Sequence, residues 1–235
     1  MSDLLGAFGQ AWLRLLLYPG GLSAILAALV IVRLLGIRQL EPLTAPKLLD
    51  LLPPLSAIAL LPLAPAASFP YGLDLPTAVT LLLWPELRRA AAERCDPHQL
   101  AAHYLPAFLG AIALASAAGT FDLSGLLRWP STPLRQAAFL LGAGAWIAAI
   151  PRLAPSQPHL AAACSALGLM LVGVLPLSAA ISTIAAAAPA WLGVAAATAI
   201  AVAGIAASHR LPVQWGYVWA SMALIAASGV LLDSR

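Results

Sequence analysis

Long apolar runs, separated by short loops that carry charges or prolines, are the feature that most constrains the fold of this sequence. A helix needs about 20 mainly apolar residues to cross a bilayer. Charged residues make up only 9% of the 235 residues, against about 25% in an ordinary soluble domain. The sequence therefore predicts an all-α fold: a polytopic membrane helix bundle in a single transmembrane domain, 1–235. About eight transmembrane helices are expected, near Leu15–Leu35, Leu49–Ala67, Leu73–Leu87, Leu100–Ala118, Leu134–Ile150, Leu160–Ala180, Ile181–Ala207 and Val213–Leu232.

The stretch Arg33–Pro54, after the first apolar run, mixes charged residues with leucines. Unpaired charges are costly in hydrocarbon, and the leucines are too frequent for a free loop. We expect this stretch to lie along the membrane surface with its charges toward water. Pro42 and Pro46 are expected to divide it into two short helical pieces.

The distribution of lysine and arginine predicts the orientation of the chain. Most of the twelve basic residues fall in the odd-numbered loops, and cytoplasmic loops carry the excess of lysine and arginine. The predicted protein is a multi-pass protein of the cytoplasmic (inner) membrane with both termini outside.

The boundary between the sixth and seventh helices, at residues 180–183, carries no charge and stays open. The alanine-rich last third is interpreted as close helix packing rather than a binding site.

Few ionisable groups occur where catalysis or ion movement at membrane depth would need them. Asp74 and Glu86 lie at the two ends of the short third run; either could relay protons, although helix-end carboxylates are more often interfacial. Cys95, His98 and His103 match no standard metal-site spacing. We expect no catalytic, cofactor-binding or metal-binding residue on this chain. The net charge of +3 is small, so no nucleic-acid partner is expected.

Five short motifs follow one another along residues 15–180. They are Leu17–Leu22 (LYPGGL), Leu40–Leu49 (LEPLTAPKLL), Leu87–Ala92 (LRRAAA), Leu105-Pro106 followed by Gly119–Leu123 (GTFDL), and Ile150–Pro155 followed by His159-Leu160. In this order they resemble the membrane subunit 1 family of respiratory complex I. The resemblance is closer to the relatives of that family in formate hydrogenlyase and other group 4 energy-converting hydrogenases.

The resemblance implies a subunit that contacts membrane lipid, antiporter-like membrane subunits and a hydrophilic electron-transfer module on the cytoplasmic side. Iron–sulfur clusters are expected on partner subunits and no cofactor on this chain. The chain departs from the family where the family has acids: Tyr104 and Ala145–Ala149 stand in place of glutamates, and Arg152–Ala154 in place of an aspartate. These departures argue against quinone or proton chemistry on this chain.

We therefore expect a membrane-anchoring or coupling subunit of a complex I-like or energy-converting-hydrogenase-like redox and ion-translocating complex, without its own active site. It would be a non-catalytic subunit of an oxidoreductase complex. The alternative is a stand-alone small-molecule transporter or membrane enzyme of an unrelated family, although the two halves show no internal repeat. The expected docking residues lie in the first and third loops: Arg38, Glu41, Lys47, Arg88, Arg89 and Arg94.

Overall fold

The computed structural model describes residues 21–36, 44–62, 74–92, 97–148, 160–184, 190–208 and 214–233. These residues are almost entirely helical, so the all-α part of the predicted fold is confirmed. Eight α-helices fall within the described ranges, together with a 3₁₀ turn at Gly125–Leu127. The helices are α1 Leu22–Leu34, α2 Ala45–Ala59, α3 Leu75–Ala92, α4 Pro97–Ala118, α5 Pro133–Ala148, α6 Leu160–Ile184, α7 Ala190–Ser208 and α8 Gln214–Asp233.

None of the helices, taken over the residues described, is both long enough and apolar enough to cross a membrane. The helices α1, α2 and α5 have 13, 15 and 16 residues. At 1.5 Å per residue these are about 20 to 24 Å long, whereas the hydrocarbon core is about 30 Å thick. The helix α3 carries Glu86, Arg88 and Arg89 in its second half.

The predicted polytopic membrane bundle is therefore wrong. The multi-pass location in the inner membrane, the two outside termini and the ion-transport role depended on it and are wrong for the same reason. The prediction treated each apolar run as one continuous helix. In the structure α2 ends at Ala59, before Pro62, whereas the predicted second span continued to Ala67.

The predicted surface-lying segment does not form a separate element from Ala45 onward, because these residues are the first turns of α2. Pro46 lies in the first turn, where its missing N–H group has no intrahelical partner to lose. Pro46 therefore lies at the beginning of a helix rather than inside one. Pro42 lies outside the described residues, so the expected division into two pieces stays a prediction. Leu51 and Leu55 are buried, and α2 packs against α3 and α6.

The centre of the bundle is α6, which contacts α1, α2, α3, α5 and α7. Every side chain from 163 to 175 is buried. A helix that is apolar on all sides is stable only when neighbours surround it, and this composition explains the central position of α6.

A second group of helices consists of α4, α5 and α8, which pack against one another. Small residues allow the close approach: a Cβ atom added at Gly110 would lie 2.8 Å from the carbonyl oxygen of Gly142. The inward face of α8 presents Ala220, Ala223 and Ala227 to this contact. Alanine and glycine bring these three helix backbones together.

The loop after α4 closes one end of the bundle and holds the beginning of α3. Gly119 has a φ of +72°, which suits glycine because it has no Cβ atom. The N–H group of Leu75 donates to the carbonyl oxygen of Phe121 at 2.7 Å. Leu123 and Leu126 are buried in the core cluster, so this loop is anchored to the core and holds the first residues of α3. Arg88 and Arg89 lie near the other end of that helix.

Candidate functional site

Of the six predicted docking residues, the structure places two, both in the second half of α3. Arg88 and Arg89 are exposed there. The side chains of the other four lie outside the described residues. Arg38, Glu41 and Arg94 lie outside the described residues, and Lys47 lies in the first turn of α2 with its side chain outside them. The docking role of the six residues therefore stays a prediction.

Two carboxylates accompany the two arginines and form with them a small charged surface, called here the charged rim: Asp50, Glu86, Arg88 and Arg89. Arg88 Nη1 lies 2.5 Å from Asp50 Oδ1, which joins α3 to α2. Arg89 Nη2 lies 3.0 Å from Glu86 Oε2, three residues earlier on α3. The arginine side chains remain 45% and 47% exposed, so a partner can still reach them.

Sequence reasoning missed the role of Asp50. It was assigned to a surface-lying segment, whereas in the structure it lies on α2, beside Arg88. The two residues are 38 positions apart, and only the packing of α2 against α3 brings them together. The sequence shows an acidic and a basic residue on neighbouring apolar runs. This pattern alone does not determine which helices pack together.

The two possible proton-relay residues lie at opposite ends of α3. Asp74 precedes the helix, and its Oδ1 accepts a hydrogen bond from the Thr77 N–H group at 2.9 Å. Hydrogen bonds from Thr77, first from its hydroxyl and then from its N–H group, lower the pKa of Asp74. Glu86 is paired with Arg89. Twelve positions of helix separate the two carboxylates by roughly 18 Å, so they do not form one site.

The buried polar groups of α6 give no nucleophile. Burial raises the pKa of Cys164 to about 12, so the thiol stays protonated at neutral pH and is a poor nucleophile. The hydroxyl of Ser165 is buried, and no hydrogen-bond partner occurs for it in the part of the chain that is described. Within that part, no three His, Cys, Asp or Glu residues could hold a metal ion. Cys95 and the side chains of His98 and His103 lie outside it. The expectation that these three residues bind no metal therefore stays a prediction.

An apolar cavity of about 410 Å³ lies between α5, α6 and α7, with Trp129 at its edge. Sequence reasoning missed it, because the small residues of this region were interpreted only as packing residues. Its wall on α5 includes Phe139, Ala143 and Ile147, which recur every four residues and so share one face of the helix. Trp129 and Phe139 meet edge to face with ring centroids 6.0 Å apart.

Two features of the described residues thus offer contacts beyond the fold itself. The charged rim presents paired but accessible arginines, and the cavity presents an uncharged apolar lining. Compared with protein-family models, curated proteins and solved structures, this chain matches none of them.

Proposed function

We propose that this chain is a non-catalytic subunit of a multisubunit complex. It docks a hydrophilic partner on the charged rim and packs against further subunits through its apolar outer faces. The observation that carries the proposal is the distribution of apolar side chains on two helices, α1 and α8: the inward faces carry mainly alanine, and the outward faces carry large apolar side chains.

The helix α8 illustrates this placement. Its inward face consists of Ala220, Ala223, Ala227 and Val230, each at most 3% exposed. Ile225 is 73% exposed on the other side. Exposed apolar patches of this kind mark surfaces that another apolar surface covers. Further large apolar residues on the outward side are Trp215, Val218, Met222, Leu224, Leu231 and Leu232.

The helix α1 has the same character. Leu22, Leu26, Val30 and Leu34 recur every four residues and are between 49% and 62% exposed. Residues at this spacing lie on one helix face, so they form a continuous apolar stripe. A stripe of this form suits a helix of a partner subunit, which would cover it along its length.

The charges of the rim support docking better than catalysis. Each arginine already has a carboxylate partner, so the two positive and two negative charges of the rim balance one another. Arginines at the edge of an interface steer a partner and set its orientation more than they add affinity.

The redox nature of the complex stays a prediction from the sequence motifs. The alternative of a stand-alone small-molecule transporter or membrane enzyme of an unrelated family also stays a prediction, and no observation on the described residues favours it.

The double substitution Arg88→Glu with Arg89→Glu tests the docking role. We expect it to release the hydrophilic partner, because the rim would then carry four acidic side chains. The fold should persist, since exposed ion pairs contribute only about 0 to 1 kcal/mol each. The measurement is the amount of partner that co-purifies with the full chain, together with helix content by circular dichroism.

Arg128→Glu is the matched control. Arg128 is exposed and follows the 3₁₀ turn in the loop that holds the opposite end of α3. The control variant should keep the partner. Retention of the partner by the double variant, or equal loss from the control, would contradict the docking role of the rim.

A further inference from the structure

The cavity between α5, α6 and α7 is lined along several turns of α5. Its lining on this helix extends from Phe139 to Ile147, eight positions that correspond to about 12 Å. Its volume of about 410 Å³ falls within the usual range of small-molecule sites, roughly 300 to 1,000 Å³. Its volume therefore suits a small ligand, and its lining along α5 has room for an extended one.

Two glycines let the walls of the cavity pack closely against each other. Gly173 on α6 and Gly204 on α7 both line it. A Cβ atom at Gly204 would lie 2.9 Å from the Met170 Cε atom, and one at Gly173 would lie 3.1 Å from Ile147 Cγ1. Met170 and Ile147 are themselves lining residues, so any side chain at either glycine would push against the walls of the cavity.

The lining determines the chemistry of the ligand. It consists of aliphatic and aromatic residues with no titratable side chain among them. An apolar cavity of about 150 Å³ already accepts benzene. By that measure the present cavity has room for roughly two to three such rings, or for an acyl chain of comparable volume. The length of the lining along α5, about 12 Å, favours the acyl chain over fused rings.

A cation precedes the residues of α5 that line the cavity. Arg135 lies one helical turn before Phe139 on α5 and is half-buried, so the two share a helix face. In the described ranges no carboxylate pairs with Arg135; the ion pairs found there join Arg88 to Asp50 and Arg89 to Glu86. The neighbouring Gln136 side chain already donates to the carbonyl oxygen of Pro130 at 2.9 Å. Arg135 is thus the polar group available to an anion next to these lining residues.

We propose that the cavity binds a medium-chain fatty acid. The acyl chain lies along Phe139, Ala143 and Ile147, and the carboxylate pairs with Arg135. Trp129 covers the chain near the carboxylate, where an indole ring suits a boundary between apolar and polar surroundings.

Titration of the purified full chain with dodecanoate and with dodecanol, followed by tryptophan fluorescence, tests this site. Dodecanoate should bind saturably to the unmodified chain. Arg135→Gln should weaken dodecanoate binding about tenfold, as expected for one charge-assisted contact, and leave dodecanol binding unchanged. Ala143→Leu should weaken binding of both molecules, because the larger side chain occupies part of the cavity.

Two further variants keep the test decisive. Arg33→Gln removes an exposed arginine on α1 that does not line the cavity, and it should bind both molecules as the unmodified chain does. Ala143→Met occupies the same space with a more flexible side chain and replaces Ala143→Leu if that variant loses helix content. Three results would each overturn the proposal: no saturable binding of dodecanoate, unchanged binding in a folded cavity-filling variant, or equal effects of Arg135→Gln on both molecules.

Discussion

At the scale of single residues, Asp74 shows how a carboxylate at the end of an apolar run can be explained without proton transfer. The structure places it immediately before α3, where its carboxylate accepts a hydrogen bond from Thr77. The first N–H groups of a helix lack intrahelical partners, and aspartate is among the residues that satisfy them best. Asp74 therefore stabilises the beginning of α3.

Replacement of Asp74 by alanine should lower the free energy of unfolding by about 1 kcal/mol at neutral pH, the usual effect of a lost cap. The pKa of Asp74 is lowered in the folded chain. Its stabilisation is therefore fully present above the unfolded pKa of about 3.9. It disappears as the pH falls through the lower, folded pKa. Urea unfolding of both proteins at pH 7 and at successively lower pH should show the difference shrinking in acid.

Asp74→Asn is the control for this prediction, because asparagine also caps helices well but does not titrate. It should keep most of the stability at pH 7 and should not reproduce the loss in acid. An alanine variant as stable as the unmodified chain at pH 7 would show that the cap is unimportant.

At the scale of elements, much of the helix placement could be predicted from the sequence. The Asp96-Pro97-His98-Gln99 stretch predicts a helix beginning at the proline, and α4 begins at Pro97. The helix α6 begins at the predicted Leu160, and α8 lies within one residue of its predicted bounds. Capping residues and prolines act locally, and a local sequence signal is therefore enough to predict these positions.

The packing partners of the helices could not be predicted in the same way. The pairing of Asp50 with Arg88 depends on α2 contacting α3. The cavity depends on which faces of α5, α6 and α7 meet. Gly173 and Gly204 look in the sequence like ordinary small packing residues. Whether a glycine closes a contact or leaves a cavity depends on the opposite helix, which a local pattern does not specify.

The contact between α4 and α5 should tolerate no added methyl group at Gly110. A Cβ atom there would lie 2.8 Å from the Gly142 carbonyl oxygen and 2.9 Å from the Trp146 backbone nitrogen. Backbone atoms cannot move aside as side chains do, so the helices must separate. We expect Gly110→Ala to lower the free energy of unfolding by about 1 to 3 kcal/mol, as overpacking usually does, measured by chemical denaturation.

Gly229→Ala on α8 is the matched control. A Cβ atom there would meet the Leu134 side chain at 3.5 Å, which is ordinary contact. Alanine is more favourable than glycine inside a helix by roughly 0.5 to 1 kcal/mol, so this variant should be as stable as the unmodified chain or more stable. Equal effects of the two substitutions would show that the close contact of α4 and α5 does not limit side-chain size.

At the scale of the whole molecule, the apolar outer faces of the helices are the main support for the proposed function. The exposed sides of α1 and α8 carry leucine, isoleucine, methionine and tryptophan, whereas their inner faces carry mainly alanine. A chain with this surface gains stability when other apolar surfaces cover it. The charged rim at the end of α3 is a separate, polar contact, so the proposal assigns the two surfaces to different partners.

The most direct test of the proposal is the mass of the particle that contains this chain, isolated under native conditions from its own cells and measured by native mass spectrometry. A subunit of a complex should appear in a particle well above the 24.1 kDa of the chain, with at least one other protein in fixed stoichiometry. A particle of 24.1 kDa, or one that holds this chain with only detergent or lipid, would contradict the proposed function.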